Sequence, residues 1–109
     1  MSAYEGSFLF SKFKKGFNRS MGTGKMVVEF QPRSVNKGLA IAAFMAEPPF
    51  LGRRPIFVGD DTTDEDGFAE IRRRGGMAIR VGKPRKTEAN YGLPSVAAVL
   101  DWLERTGLP

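Results

Sequence analysis

The chain has 109 residues, of which 41% are hydrophobic and 27% charged, and its formal net charge is +5. It contains no cysteine and no histidine, which excludes disulfides, the common zinc sites and every catalytic triad that uses histidine. No apolar run reaches the length of a membrane span and no signal peptide is recognisable, so we expect a cytoplasmic protein that does not bind a membrane.

The charge is distributed unevenly. Residues 1–54 hold nine Lys and Arg against three Glu, a net of +6, whereas residues 55–109 hold eight Lys and Arg against nine Asp and Glu, a net of −1. A basic half beside an acidic half favours an anionic substrate held near a metal. Because no nucleic-acid recognition motif accompanies the basic residues, we predict no nucleic-acid partner.

The first 24 residues mix phenylalanine, lysine and glycine in a pattern typical of neither a helix nor a strand. Phe10, Phe13 and Phe17 would share one face of a short basic amphipathic helix. The irregular pattern favours the alternative, a poorly ordered terminus.

From Gly24 onward the pattern is regular. The predicted elements, in chain order, are a strand over 25–30, a helix over 35–47, a strand over 55–58, a helix over 64–74, a strand over 77–81 and a helix over 93–106. This β-α-β-α-β-α order predicts an α/β fold with a partial doubly wound (Rossmann-like) parallel sheet. Three strands are half of such a sheet, so its edge is expected to need strands that the chain does not supply.

The helices carry recognisable start signals and inward faces. Ser34 or Asn36 is expected to cap the first predicted helix. Its apolar stripe comprises Leu39, Ala40, Ala43 and Phe44. Thr63 is expected to cap the second predicted helix, with Phe68 and Ile71 facing inward.

An acidic cluster directly follows the apolar strand over 55–58 and a glycine. Carboxylates crowded at a strand end repel one another unless a cation lies among them, and Mg²⁺ prefers such oxygen ligands. We predict a Mg²⁺ site with Asp60 as the direct ligand and Asp61 and Asp64 orienting metal-bound water. Glu65 and Asp66 are assigned instead to the helix N-terminus, which favours acidic side chains.

Lysines supply the candidate anion-binding groups. Lys37, at the start of the first predicted helix, can neutralise a phosphate near the metal. Lys25 and Glu29 are four residues apart on a predicted strand and therefore point to the same face, where they suit a hydroxyl-rich or phosphorylated ligand. The alternative for these two residues is a cross-strand ion pair.

Several segments together carry a family resemblance. They are Gly24–Pro32, Asn36–Gly38, Phe44–Phe50, Phe57–Phe68 and the ending from Val81 to Leu103. In this order they resemble the C-terminal portion of the trehalose-6-phosphate phosphatases, a family of haloacid dehalogenase-like hydrolases. The resemblance divides the chain into a poorly matched basic segment, residues 1–23, and the C-terminal part of a trehalose-phosphatase domain, residues 24–109.

This resemblance implies Mg²⁺-dependent hydrolysis of trehalose 6-phosphate to trehalose and phosphate, a step of trehalose biosynthesis. Family members use a phosphorylated aspartate nucleophile and a second aspartate as acid/base, both in an Asp-x-Asp-Gly-Thr motif. By resemblance, Lys37 stabilises the phosphate and Asp60 binds Mg²⁺. Lys25 and Glu29 match residues that contact the sugar.

The chain departs from the family because no Asp-x-Asp-Gly-Thr motif ends any of its strands. We therefore expect a fragment that lacks the nucleophile, shows little or no activity alone, and has the missing N-terminal half of the phosphatase as its partner. One alternative is a non-catalytic sugar-phosphate-binding or regulatory protein on the same scaffold. Another is a receiver-like domain, which is disfavoured because the acidic pair follows the second recognisable strand rather than the first.

Overall fold

The computed structural model describes residues 7–11, 27–30 and 36–106. Their elements, in chain order, are β1 (Ser7–Ser11), β2 (Val27–Glu29), α1 (Lys37–Met45), β3 (Arg54–Gly59), α2 (Glu65–Arg73), β4 (Met77–Val81), β5 (Tyr91–Leu93) and α3 (Val96–Thr106). A short 3-10 turn, Thr62–Asp64, comes directly before α2. None of the helices in these ranges combines the length and apolarity that crossing a bilayer requires.

Within the described residues the strands form one sheet in the order β2-β1-β3-β4-β5. Every neighbouring pair is parallel, so the predicted parallel α/β sheet is confirmed. The chain runs outward from β1 to β2 on one side and from β3 to β4 and β5 on the other. The carboxyl ends of β1 and β3 therefore flank the point at which the winding reverses, where sheets of this kind bind their ligands.

Helices pack on both faces of the sheet, as a doubly wound fold requires. One face packs against α3 through Ile56, Val58, Ile79, Val81, Val99 and Leu103. The other packs against α1 and α2 through Phe10, Phe30, Ile41, Met45, Phe57, Phe68, Ile71 and Ala78. The central strand β3 contributes to both clusters, which explains why Ile56–Val58 is apolar without alternation.

Two strands were not predicted from the sequence. Ser7–Ser11 form β1, which lies between β2 and β3, and Phe10 is fully buried there rather than on a helix. Tyr91–Leu93 form β5 on the far edge of the sheet, so the last helix begins at Val96 and not at Leu93. The described residues therefore contain five strands and not the three that the sequence predicts. Phe13 and Phe17 lie outside the described residues.

The inward face of α1 also differs from the prediction. Lys37, Ile41 and Met45, spaced four residues apart, are the buried side chains of this helix. Leu39 is 71% exposed and Phe44 is 37% exposed, so the predicted stripe points largely outward. Residues four apart lie on the same face of a helix. Lys37 can share the inward face with Ile41 and Met45 because the stem of its side chain is apolar.

The first residue before α1, Asn36, takes the cap position that the sequence predicted but does not cap with its side chain. Its φ of 55° and ψ of 47° are left-handed, and its side chain makes no capping hydrogen bond. The other predicted cap, Ser34, lies outside the described residues. The orientation of Lys37 is thus set by the backbone turn at Asn36 and by packing.

Gly76 lets the end of α2 approach the start of β3. A Cβ at this position would lie 2.2 Å from the carbonyl oxygen of Pro55. We expect Gly76→Ala to lower the free energy of unfolding by about 1–3 kcal/mol, because the backbone must move apart. At Gly92 the nearest atom to an added Cβ is 3.8 Å away, so Gly92→Ala is the matched control. Urea unfolding of both variants measures the difference, and equal stabilities would contradict this packing.

Candidate functional site

The acidic cluster lies at the carboxyl end of β3, beside the end of β1. Gly59 is the last residue of β3, and Asp60, Asp61 and the 3-10 turn follow it. Ser11, at the end of β1, is paired in register with Val58. The cluster therefore follows the apolar strand, as the sequence predicts, and lies where the winding of the sheet reverses.

Asp64 turns back into the protein and organises this loop. Its side chain is fully buried, and its Oδ2 atom accepts hydrogen bonds from the backbone N–H groups of Asp60 and Asp61, each at 2.9 Å. A carboxylate that accepts two N–H groups fixes the path of the residues that donate them. Asp64 consequently fixes the backbone conformation of the loop that contains Asp60 and Asp61.

Lys37 reaches the same buried carboxylate from α1. Its Nζ atom lies 3.0 Å from Oδ1 of Asp64, and neither side chain is exposed. Two opposite charges buried together are tolerated because each compensates the other, whereas either one alone would be strongly unfavourable. The lysine predicted to neutralise a phosphate is thus brought to the acidic loop, in contact with Asp64.

Gly59 makes room for this arrangement. A Cβ on Gly59 would lie 2.5 Å from Oδ2 and 2.7 Å from Cγ of Asp64. Only a residue without a side chain allows the carboxylate to lie directly over the end of β3. The glycine of the Gly-Asp-Asp sequence is therefore explained by the position of the Asp64 carboxylate.

Asp61, and not Thr63, begins the helical segment that follows. Asp61 is extended, and its Oδ1 atom accepts a hydrogen bond from the backbone N–H of Thr62 at 2.7 Å. With Asp64 it forms a reciprocal capping box. The predicted cap, Thr63, lies inside the 3-10 turn, because the chain makes one tight turn before α2 instead of entering it directly.

The exposed carboxylates of the acidic loop are the candidate ligands for Mg²⁺. Asp60 and Asp61 are exposed, whereas Asp64 is occupied by the loop and by Lys37. Among the described residues no three acidic side chains converge on one point. Mg²⁺ is commonly bound through one or two carboxylates, with water and substrate phosphate completing its shell. Two exposed carboxylates are compatible with this mode of binding, and the assignment of Mg²⁺ to Asp60 stays a prediction.

The structure describes the sugar-contacting residues implied by the resemblance only in part. Lys25 lies outside the described residues, and of Glu29 only the backbone is described, as the last residue of β2. Strand β2 is adjacent to β1 in the sheet, so its carboxyl end lies on the same edge as the acidic loop. Contact of either residue with a sugar stays a prediction.

Glu65 has a role that the sequence did not reveal. Its carboxylate accepts hydrogen bonds from the hydroxyl of Thr87, at 2.9 and 2.7 Å, and from the backbone N–H of Glu88, at 2.7 Å. It also lies 3.4 Å from Arg85. Glu65 therefore holds the loop between β4 and β5 against the first turn of α2, and no local pattern in the sequence signals a contact across more than 20 residues.

Glu70 marks a separate charged cluster at the end of α2. Burial raises the pKa of Glu70, but hydrogen bonds and charges from Arg73 and Arg74 outweigh it and leave the pKa below its ordinary value. A lowered pKa means that this cluster stabilises the fold at neutral pH and ceases to do so as acid protonates the carboxylate. The cluster supports the helix and does not take part in the candidate site.

The sequence of this site belongs to a known family. A sequence model described as trehalose-phosphatase matches residues 13–97. The chain belongs to the trehalose-phosphatase family. A trehalose-6-phosphate phosphatase of Escherichia coli (strain K12) is 54% identical over 81 residues, which are 74% of this chain and 30% of that protein. A probable trehalose-phosphate phosphatase of Sinorhizobium fredii is 47% identical over 88 residues, 80% of this chain and 33% of that protein.

This trehalose-phosphatase-family chain thus spans about a third of the length of the curated relatives that it matches. The family match begins at residue 13, whereas the sequence resemblance was placed from residue 24 onward. The acidic loop, Lys37 and the β4–β5 loop all fall inside the matched range.

The buried pair of Lys37 and Asp64 can be tested by stability. Lys37→Met leaves Asp64 buried without its cation, and we expect the free energy of unfolding to fall by about 3–5 kcal/mol. The exposed pair of Asp101 and Arg105, at 2.9 Å on α3, provides the control, because Asp101→Asn should cost only a few tenths of a kcal/mol. Urea denaturation measures both. A Lys37→Met variant as stable as the control would contradict the buried pairing.

Proposed function

We propose that this chain is the metal- and phosphate-binding part of a Mg²⁺-dependent trehalose-6-phosphate phosphatase and that it does not hydrolyse the substrate alone. The observation that carries the proposal is the acidic loop shaped by Asp64 and Lys37 at the point where the sheet's winding reverses. Membership in the trehalose-phosphatase family supports trehalose 6-phosphate as the substrate.

In this proposal each residue has a distinct part. Asp60, exposed at the tip of the loop, holds Mg²⁺, and Asp61 and Asp64 keep the loop in the shape that presents it. A bound Mg²⁺ would neutralise the charge of the phosphate group. Lys37 compensates the buried carboxylate of Asp64 at the same edge of the sheet.

The predicted absence of turnover rests on the residue that ends β1. Ser11 occupies the carboxyl end of β1, and its side chain is fully buried. Among the described residues no carboxylate ends β1 beside the acidic loop. Without an aspartate nucleophile no phosphoaspartyl intermediate can form. We propose that a nucleophile-bearing N-terminal half of the phosphatase completes the site.

The same observation supports a second candidate function, a non-catalytic sugar-phosphate-binding protein. A site that keeps its metal-binding loop and its buried lysine, but has serine at the end of β1, can hold a phosphate ester without attacking it. The two candidates differ in whether a nucleophile-bearing partner restores hydrolysis. The test is to mix the chain with a polypeptide that carries the Asp-x-Asp-Gly-Thr segment of a relative. Restored hydrolysis supports the phosphatase part, and its absence supports the non-catalytic binding protein.

Binding and hydrolysis are to be measured separately. We expect Mg²⁺ to shift the amide resonances of Asp60 and Asp61 in NMR spectra of the purified chain, because the ion contacts this loop. Asp60→Asn should abolish these shifts, since Asp60 supplies the direct ligand. Asp101→Asn removes an exposed acid on α3 and should leave them unchanged. Equal shifts in both variants would place the metal elsewhere.

Phosphate release from trehalose 6-phosphate tests the catalytic half of the proposal. We expect no turnover above the EDTA blank when Mg²⁺ is present, because the chain lacks the nucleophile. Metal-dependent turnover that disappears in Asp60→Asn would contradict the proposal and would mean that the chain contains a nucleophile of its own.

A further inference from the structure

A cleft lies beside the candidate site, at the carboxyl end of β4. The β4–β5 loop, residues 82–90, and strand β5 border a space of about 430 Å³. Its polar side chains are those of Arg80, Arg85, Thr87, Asn90 and Tyr91. Two of these five are arginines, and the cleft lining includes no acidic residue among the described part of the chain.

Arg80 is a buried cation that has no carboxylate partner in the part of the chain that the structure describes. It is 5% exposed, and its Nη1 atom donates one hydrogen bond, at 3.3 Å, to the carbonyl oxygen of Val81. Within the described residues no acidic side chain forms an ion pair with it. A guanidinium has five N–H donors, and a buried charge is costly unless it is paired. Within the described residues one hydrogen bond therefore leaves donors of Arg80 that a ligand in the cleft could engage.

The register of the sheet places Arg80 beside the acidic loop but on a different strand. Arg80 pairs with Gly59 across β3 and β4, and neighbouring strands are separated by about 4.8 Å. The cleft therefore adjoins the end of β3 without sharing its side chains. Its cations come from β4 and from the β4–β5 loop, whereas the carboxylates come from the loop after β3.

The wall of the cleft is held rigidly from both ends. Glu65 accepts from Thr87 and from the backbone of Glu88. Asn90 accepts from the backbone N–H of Ala78 at 2.8 Å and donates to the carbonyl of Gly76 at 3.2 Å. These bonds occupy Thr87 and Asn90 and fix the loop before any ligand arrives, which reduces the entropy cost of binding.

Arg85 is the second cation of the cleft and is held only loosely. Its Nη2 atom lies 3.4 Å from Glu65, and its side chain is 34% exposed. Since the carboxylate of Glu65 is already engaged by Thr87 and Glu88, Arg85 can turn toward a ligand without leaving a carboxylate unsatisfied. Lys83 and Lys86, both exposed on the same loop, add to the positive potential around the cleft.

We propose that this cleft binds a phosphate group, free or as an ester, through the guanidinium groups of Arg80 and Arg85. Two guanidinium groups match the charge of a phosphate dianion, and their planar donors match its oxygen atoms. The site is separate from the acidic loop and needs neither Mg²⁺ nor a nucleophile. The proposal of phosphate binding in this cleft can therefore be tested independently of the proposed phosphatase function.

The test is an NMR titration of the complete chain with inorganic phosphate in the presence of EDTA, at constant ionic strength. We expect the amide resonances of Arg80, Gly82 and Gly92 to shift and saturate, while chloride at the same ionic strength has no effect. Trehalose 6-phosphate and acetate are titrated in parallel. Tighter binding of the ester than of free phosphate identifies an ester site, and acetate binding as tightly as phosphate would overturn the assignment to phosphate.

Variants assign the binding to the two arginines. Arg80→Met keeps the length of the side chain and removes the charge, and we expect phosphate affinity to fall about tenfold or more, as for loss of a charged hydrogen bond. Arg85→Met should weaken it less. Arg105→Met, on the exposed surface of α3, is the matched control and should leave the affinity unchanged.

Two controls distinguish the loss of phosphate binding from a folding defect and from the loss of Mg²⁺ binding. Far-UV circular dichroism verifies each variant, and if Arg80→Met does not fold, Arg80→Lys, which keeps the charge but loses the planar donors, takes its place. Asp60→Asn should retain phosphate binding even when Mg²⁺ binding is lost. Shifts that do not saturate, or that persist unchanged in the Arg80 and Arg85 variants, would overturn the proposal.

Discussion

The buried contact between Lys37 and Asp64 is the interaction on which the rest of the site depends. It joins the first turn of α1 to the loop that leaves β3, and both charges are removed completely from water. Such a pair contributes little net stability compared with apolar residues of the same size, but losing one member is severe. Its value here is positional: the carboxylate that Lys37 compensates also receives the N–H groups of Asp60 and Asp61.

Two consecutive residues, Asp64 and Glu65, hold two different loops. Asp64 faces the sheet and fixes the acidic loop after β3, whereas Glu65 fixes the basic β4–β5 loop. The junction between the 3-10 turn and α2 therefore supports both the acidic loop and the basic loop at one edge of the sheet. Both loops are held by hydrogen bonds within the protein.

The sequence predicted the parts of the molecule in which local pattern and tertiary structure agree. Strand β3 and helix α2 follow from a continuous apolar run and from Phe68 and Ile71 at helical spacing, and both side chains are fully buried. The Gly-Asp-Asp sequence indicated a loop at a strand end, which is where the structure places it. The metal-binding role of that loop stays a prediction.

The parts that the sequence did not reveal depend on contacts between distant residues. Ser7–Ser11 lie among lysines and glycines, and their strand exists because β2 and β3 pair with both of its edges. Residues Tyr91–Leu93 contain a glycine and are too short for a periodic signal, yet β4 pairs with them. In the same way, the sequence shows Arg80 as one polar residue in an apolar strand. Its place at the cleft, beside the end of β3, is known only from its pairing with Gly59.

Hydrogen exchange of the Asp60 and Asp61 amides tests the central claim most directly, because both N–H groups are bonded to Asp64 at 2.9 Å. The account predicts that both amides exchange slowly in the unaltered chain and rapidly in Asp64→Ala, under conditions in which the amides of β3 and β4 remain protected in both proteins. Exchange of Asp60 and Asp61 at the rate of an unstructured peptide in the unaltered chain, or at the same rate in both proteins, would contradict it.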